Sequence, residues 1–385
     1  MTGERRIWLA RPQMAGDEID EVRAVLASGI LTQGPKVAEL ERMVAELVGV
    51  PHAFAVTSAT TALHLSLVAA GIGPGDEVLV PDFTFPATAN VVVQQGAVPV
   101  LVDIELETFA IDPEAIERQV TPRTRAILPV HPFGLPAHMD AVLDVARAHE
   151  LIVIEDAACA LGATYGGRQA GGIGLAGCFS FHPRKSITTG EGGMITTADD
   201  SLARRIGLLR SHGGIREGGR FRFEAAGFNY RMSDILAAVG VAQMRQVSAF
   251  LETRRRVARW YDQRLAGEES LRLPAAPDGR THTYQSYVVL LDEAVDRDRV
   301  IGSLASEGIE TTIGTYALHA EPFFARTYGH RPGDRPRSWR AYRSGLSLPL
   351  HGGITEEDVE FVVERLRVAC AGARRPVGET PAITT

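Results

Sequence analysis

The stretch Phe179-Ser180-Phe181-His182-Pro183-Arg184-Lys185-Ser186-Ile187-Thr188-Thr189-Gly190-Glu191-Gly192-Gly193 decides how this chain is read. It sets one lysine just beyond a short apolar strand and ahead of a glycine-rich turn. Upstream, Ile152-Val153-Ile154-Glu155-Asp156 is a second apolar strand that ends in carboxylates. Outward from these two, strands and helices alternate. A strand at Ala53 to Val56 precedes a helix from about Thr60 to Ala70, and one at Glu77 to Val80 precedes a helix from about Pro86 to Gln95. Strands at Val98 to Val102, Arg125 to Leu128, Leu151 to Ile154, Cys178 to Phe181 and Met194 to Thr197 continue the series. Near-continuous apolar runs suit strands covered on both faces. The spacing therefore predicts an α/β domain with a largely parallel sheet.

Two helices open the chain. Asp17 to Ser28 carries Ile19, Val22 and Leu26 on one face, and Pro35 to Val48 carries Val37, Leu40, Val44 and Leu47. From Gln246 the character changes. A long charged helix, about Val247 to Ala266, leads into a linker with Pro274, Pro277 and Gly279. A strand near Tyr284 to Leu291 and helices near Asp296 to Glu307 and Thr355 to Ala371 follow. The expected organisation is a large domain with its N-terminal segment over 1–246, a smaller α+β domain over 247–373, and a disordered tail over 374–385.

With 385 residues, 45% hydrophobic and 23% charged, the chain has the make-up of a soluble globular enzyme. A net charge of −7 gives no electrostatic reason to expect nucleic acid. The basic run Arg254-Arg255-Arg256 reads as a solvated helix face. Cys159, Cys178 and Cys370 are too scattered for a disulfide framework or a zinc site. His131, His138, His182 and His212 show no tight metal spacing, so no metal is expected. No signal peptide and no membrane-length apolar run is visible, and a cytoplasmic location with reduced thiols is expected.

Ligands of open α/β sheets bind beyond the carboxyl ends of the strands. Thr57-Ser58-Ala59-Thr60 follows the first strand and opens a helix. Free N–H groups, hydroxyls and the positive helix end suit a phosphate, although a helix cap without a ligand needs the same residues. Asp156 at a strand end needs a cationic partner or strong hydrogen bonds. Lys185 must be neutral before it can act as a nucleophile, and partial desolvation with nearby positive charge favours that state. A buried lysine and a buried aspartate at neighbouring strand ends meet the needs of pyridoxal 5'-phosphate (PLP). The amine bonds the cofactor aldehyde, the carboxylate keeps the pyridine nitrogen protonated, and the ring becomes an electron sink. Phe85 could stack on such a ring or fill the core, and Ser180 could add a hydroxyl to the phosphate.

Assembled, these residues resemble the DegT/DnrJ/EryC1/StrS family of sugar aminotransferases from about Trp8 to Ala371. The resemblance is carried by Thr57 to Leu63, Gly73 to Val78, Glu155-Asp156-Ala157-Ala158, Phe179 to Gly193, and Gly227 to Asp234. It implies the PLP-dependent transferase fold of type I, aspartate-aminotransferase-like, and a homodimer with sites at the subunit interface. It implies Lys185 as the Schiff-base lysine, Asp156 as partner of the pyridine nitrogen, phosphate contacts from Thr60 with the Ala59 amide and from Ser180, and Ser58 and Cys159 among the cofactor-binding residues. Phe85 matches the stacking aromatic, and Asn229 a residue that reaches the phosphate of the neighbouring subunit. His182, Arg231, Tyr316 and His319 match substrate-side positions. Ala59 stands where the family usually has glycine. Cys159 stands where it often has glutamine, histidine or glutamate near the ring hydroxyl. The implied activity moves an amino group from an amino acid, L-glutamate, through pyridoxamine 5'-phosphate (PMP) to C3 or C4 of a nucleotide-linked keto sugar. Loops near Leu31 to Gly34 and Arg220 to Phe223 are expected to select the sugar. A keto-cyclitol substrate, sugar dehydration and a non-catalytic PLP-binding regulator are the alternatives. Lys185 speaks for amination over dehydration, and no helix-turn-helix module is visible for a regulator.

Overall fold

The computed structural model describes residues 5–375. Its centre is a seven-stranded sheet in the order His52–Val56, Gly193–Thr197, Ala176–Ser180, Ile152–Asp156, Thr124–Ile127, Glu77–Pro81, Val98–Val102. Gly193–Thr197 runs antiparallel to both neighbours, and the other pairings are parallel once past it. Side chains alternate between faces, and both faces are apolar. Val56, Val78, Val80, Cys178 and Ile195 pack under the helices Ala59–Ala70, Ala87–Gln94 and Asp200–Arg210. Ala55, Phe179 and Met194 face the opposite side, against Pro35–Val48 and Asp234–Arg245. Leu79, Ile127 and Val153 complete that side with Met139–Ala148.

A second core is built on a four-stranded antiparallel sheet ordered Leu271–Arg272, Tyr287–Leu291, Gly345–Leu348, Thr312–Ile313. The helices Arg297–Ser306 and Glu356–Gly372 pack with it, and Ile7 from the start of the chain joins the same core. The helix Val247–Leu265 belongs to both cores. Val247, Phe250 and Leu251 pack with the large sheet, whereas Val257, Tyr261 and Leu265 pack with the small one.

Three expectations are corrected. In the opening helix Glu18–Ser28, Ile19 and Leu26 are exposed, and the buried residues are Glu18 and Val25. The helix is rotated because Glu18 closes its own entry: its carboxylate accepts N–H bonds from Ala15 and Gly16 and one from Gln243 Nε2. Arg254 is not part of a solvated face but lies buried, between Leu251 and Val257. At the chain end, the expected disorder does not extend to Arg374 and Arg375, which bond Val295 and Ala294; the remainder, 376–385, lies outside the described residues. No helix among the described residues is long and apolar enough to cross a membrane.

One glycine is required by close approach. A Cβ on Gly193 would stand 2.4 Å from the Ser58 carbonyl carbon and 2.7 Å from the Ala59 nitrogen, both backbone atoms that cannot swing aside. Gly193→Ala is therefore expected to destabilise the fold by about 1–3 kcal/mol, the usual cost of overpacking. Denaturant titration measures it, and an unchanged midpoint would contradict the packing described.

Candidate active site

Strand register assembles the site. Val56 pairs with Gly193, and Gly193 pairs with Ser180, so three strand ends form one row. On the next strand Asp156 pairs with Cys178. The antiparallel strand starts where its neighbours end, so Ser58, Ser180, Asp156 and the Lys185 loop all collect at one edge of the sheet. That loop is closed by bonds from Phe181 N to the Gly192 carbonyl and from Thr189 N to the Phe181 carbonyl, and its turn by Lys185 N to the His182 carbonyl.

Asp156 is the electrostatic centre. It is buried and accepts Thr88 Oγ1 at 2.8 Å and the Ala158 N–H at 3.2 Å. Burial pushes its carboxyl above the ordinary range. The Thr88 and Ala158 bonds and the charges of Lys185 and His131 oppose this without cancelling it. Its neighbour Glu155 behaves oppositely. Burial pushes it up, but His131 and the N–H groups of Gly174 and Gly171 outweigh that and hold it below the usual range. His131 Nδ1 accepts the Ala137 N–H, so Nε2 carries the proton toward Glu155 at 2.9 Å. Glu155 is thus satisfied within the protein. Asp156 has no cationic group at ion-pair distance among the described residues.

Lys185 Nζ donates to Cys159 Sγ at 3.1 Å. The chain contains two lysines, Lys36 and Lys185. Lys36 is tied to Glu21 at 2.7 Å and Glu39 at 2.8 Å. Lys185 makes no carboxylate ion pair among the described residues. This contrast was available in the lysine count, a signal that reading the motifs alone passes over.

Ser58 is the N-cap of Ala59–Ala70, and its side chain and that of Thr61 form a reciprocal capping box. Its hydroxyl therefore serves the helix, while the helix start remains directed at the sheet edge. Ala59 occupies the first helical position, where alanine is unstrained. Phe85 does not fill the core: its ring is 65% exposed and meets Tyr316 edge-on at 6.4 Å. Tyr316 is brought there by pairing of Tyr316–Ala317 with Phe83–Thr84. Ser180 is half-buried. His182 is half-buried, and burial, only partly offset by Glu191, keeps it below the usual histidine range. Arg231 donates to Ser211 Oγ at 3.1 Å, and Asn229, exposed, bridges to Ser211 through the backbone. His319 is fully buried and holds Asp82 through its backbone N–H at 2.7 Å and Nδ1 at 2.6 Å. Thr88 was missed in the sequence, because nothing in a helix pattern shows which turn faces a strand end.

The residues fit PLP. A buried carboxylate with a raised affinity for a proton, and without a cation, is matched by a ring nitrogen that brings its own proton. The exposed Phe85 face offers a flat apolar wall, and Lys185 is the free amine. Fold and site define a PLP-dependent aminotransferase. The model of the DegT/DnrJ/EryC1/StrS aminotransferase family matches residues 12–367, and the chain belongs to that family. It is 45% identical over 367 residues to the GDP-perosamine synthase of Caulobacter vibrioides, covering 94% of this chain and 97% of that relative. Among solved structures, the putative sugar aminotransferase Spr1654 of Streptococcus pneumoniae in its PMP form superposes with a TM-score of 0.91 at 28% identity, over 96% of this chain and 98% of that one. The aminotransferase TlmJ of Streptoalloteichus hindustanus gives 0.90 at 34% identity, over 96% and 100%.

Because Asp156 holds its proton more tightly folded than unfolded, its contribution to stability is largest at low pH. That contribution falls as pH rises from the ordinary aspartate value through the raised folded one. Cofactor-free wild type is expected to lose melting temperature across that window more steeply than cofactor-free Asp156→Asn. Equal slopes would show that the carboxylate is not penalised by burial. In the loaded enzyme the same variant is expected to lose about 10²–10³-fold in kcat.

Proposed function

We propose that this chain moves an amino group from an amino acid, L-glutamate, to the C3 or C4 ketone of a nucleotide-linked keto-deoxy sugar. The observation that carries the reading is a lysine and a buried aspartate at the ends of adjacent strands, Lys185 with no carboxylate and Asp156 with no cation at ion-pair distance among the described residues. The sugar and its nucleotide are suggested by the Caulobacter relative, named for GDP-perosamine, and by the sugar aminotransferase of Streptococcus pneumoniae.

When bound, PLP supplies an electron sink for the carbanion that forms when the amino-acid carbon loses its proton. Asp156 holds the positive charge at the pyridine nitrogen and so maintains that sink. Lys185, once free, takes the proton from the substrate carbon and delivers it back, acting as base and then acid. Ser180 and the N–H groups of Ala59 and Thr60 orient the phosphate, the helix start adding its positive end. Phe85, exposed beside Tyr316, would cover the ring and exclude water there. His182, Arg231 and Tyr316 border the open side, where the sugar is received.

The working unit in this reading is a homodimer, with Asn229 of one copy reaching the phosphate of the other. Ile19, Leu26, Ile30 and Leu31 leave an apolar strip exposed on the single chain. Phe221 and Phe223 stack at 6.3 Å on an exposed hairpin. In this reading the second copy would cover such exposed apolar residues.

Lys185→Ala is expected to bind PLP yet lose the absorbance of the lysine-linked cofactor and at least about 10²-fold of turnover. Full turnover would refute its role. The substrate is tested by incubating the PMP form with nucleotide-linked 3-keto and 4-keto sugars and reading products by mass. Amination of a keto-cyclitol alone would overturn the sugar assignment while leaving transamination intact.

A further inference from the structure

The loops that carry Lys185 and Cys159 lie beyond the strand ends, where no ladder holds them. Besides the Lys185 loop's own backbone bonds, three side chains from the region that joins the two cores hold them. Arg254 Nη2 donates to the Lys185 carbonyl at 3.1 Å, and its Nη1 to the carbonyls of Tyr284 at 3.3 Å and Gln285 at 3.2 Å. Gln285 Nε2 donates to the Arg184 carbonyl at 2.8 Å. Thr283 Oγ1 donates to the Cys159 carbonyl at 3.1 Å, its backbone anchored to Gly134. All three side chains belong to buried residues.

We propose that Arg254, with Thr283 and Gln285, is a positioning clamp that fixes the Lys185 and Cys159 loops against each other and so aims the Lys185 amine. The charge of Arg254 is otherwise hard to explain. Among the described residues no carboxylate lies at ion-pair distance from it, and burial pulls its guanidinium down to about 10, with Cys159 partly opposing. A buried charge with no counter-ion is costly, and an apolar side chain of equal size would pack more cheaply. What the guanidinium alone supplies is a rigid fork of donors that spans several carbonyls at once. The lysine side chain has four rotatable carbons, so the placement of its amine depends on how firmly its backbone is held. Arg254 also sits between the two cores on the helix Val247–Leu265, so the clamp links the small sheet to the reactive loop.

This rests on the reading of Lys185 as the cofactor lysine, and the test separates the two. Arg254→Met keeps length and removes the fork, Arg254→Lys keeps charge, Gln285→Ala removes the bond to the Arg184 carbonyl, and Thr283→Val removes those to the Cys159 and Gly134 carbonyls. On PLP-loaded protein, kcat, donor KM and the visible circular dichroism of the cofactor are measured. Arg254→Met is expected to lower kcat at least about tenfold with donor KM little changed, as misaimed groups do. It should also reduce the dichroism per bound cofactor. Arg254→Lys should recover part of both, and the two smaller variants should shift both in the same direction by less. Unchanged kcat and dichroism with only a lower melting temperature would reduce Arg254 to fold support and overturn the clamp. If Arg254→Met does not fold, unaltered Gln285→Ala and Thr283→Val overturn it equally. A Lys185→Ala protein that keeps the lysine-linked absorbance removes the underlying reading, whatever the Arg254 variants do.

Discussion

A carboxylate buried at the end of a β-strand, with two neutral hydrogen bonds and no cation, is an unfavourable thing to build. Asp156 is held in that condition by Thr88 and the Ala158 N–H, while the adjacent Glu155 is given a histidine and three backbone N–H donors. The two neighbours on one strand face opposite sides of the sheet. One is paired within the protein, and the other has no cation at ion-pair distance among the described residues. The contrast gives the strand end a reason to exist beyond packing: in the function proposed here, a protonated pyridine would relieve the burial of Asp156 and be held charged by it.

The rest of the large domain positions this pair. The two faces pack into different cores, so a one-residue slip would exchange them, and the row Val56, Gly193, Ser180 keeps that register. The helix start at Ser58 can approach that row only because residue 193 has no side chain. The lysine loop is closed by its own backbone bonds and is also bonded from the side by Arg254 and Gln285. The site is therefore held from two sides, by strand register below and by the junction with the small sheet beside it.

Much of this was legible in the chain. Apolar runs of strand length, separated by helical periods, gave the α/β class, and the motif around Lys185 gave the cofactor chemistry. What failed was whatever depended on a partner distant in sequence. Ile19 and Leu26 share a face with Val22, but Glu18 is drawn inward by Gln243, and the helix turns with it. Arg254 sits in a run of three arginines that pattern alone assigns to solvent. Its burial depends on carbonyls of Lys185, Tyr284 and Gln285, none of which a local window contains. Thr88 was obscure for the same reason, since its partner Asp156 lies on another segment.

The central claim is that Lys185 is the residue that bonds the cofactor aldehyde. Reducing the PLP-loaded enzyme with borohydride makes that bond permanent, and the small number of lysines makes the answer unambiguous. Peptide mapping by mass spectrometry should find the added cofactor mass on the peptide containing Lys185. Finding it on Lys36, or on neither lysine, would contradict the account.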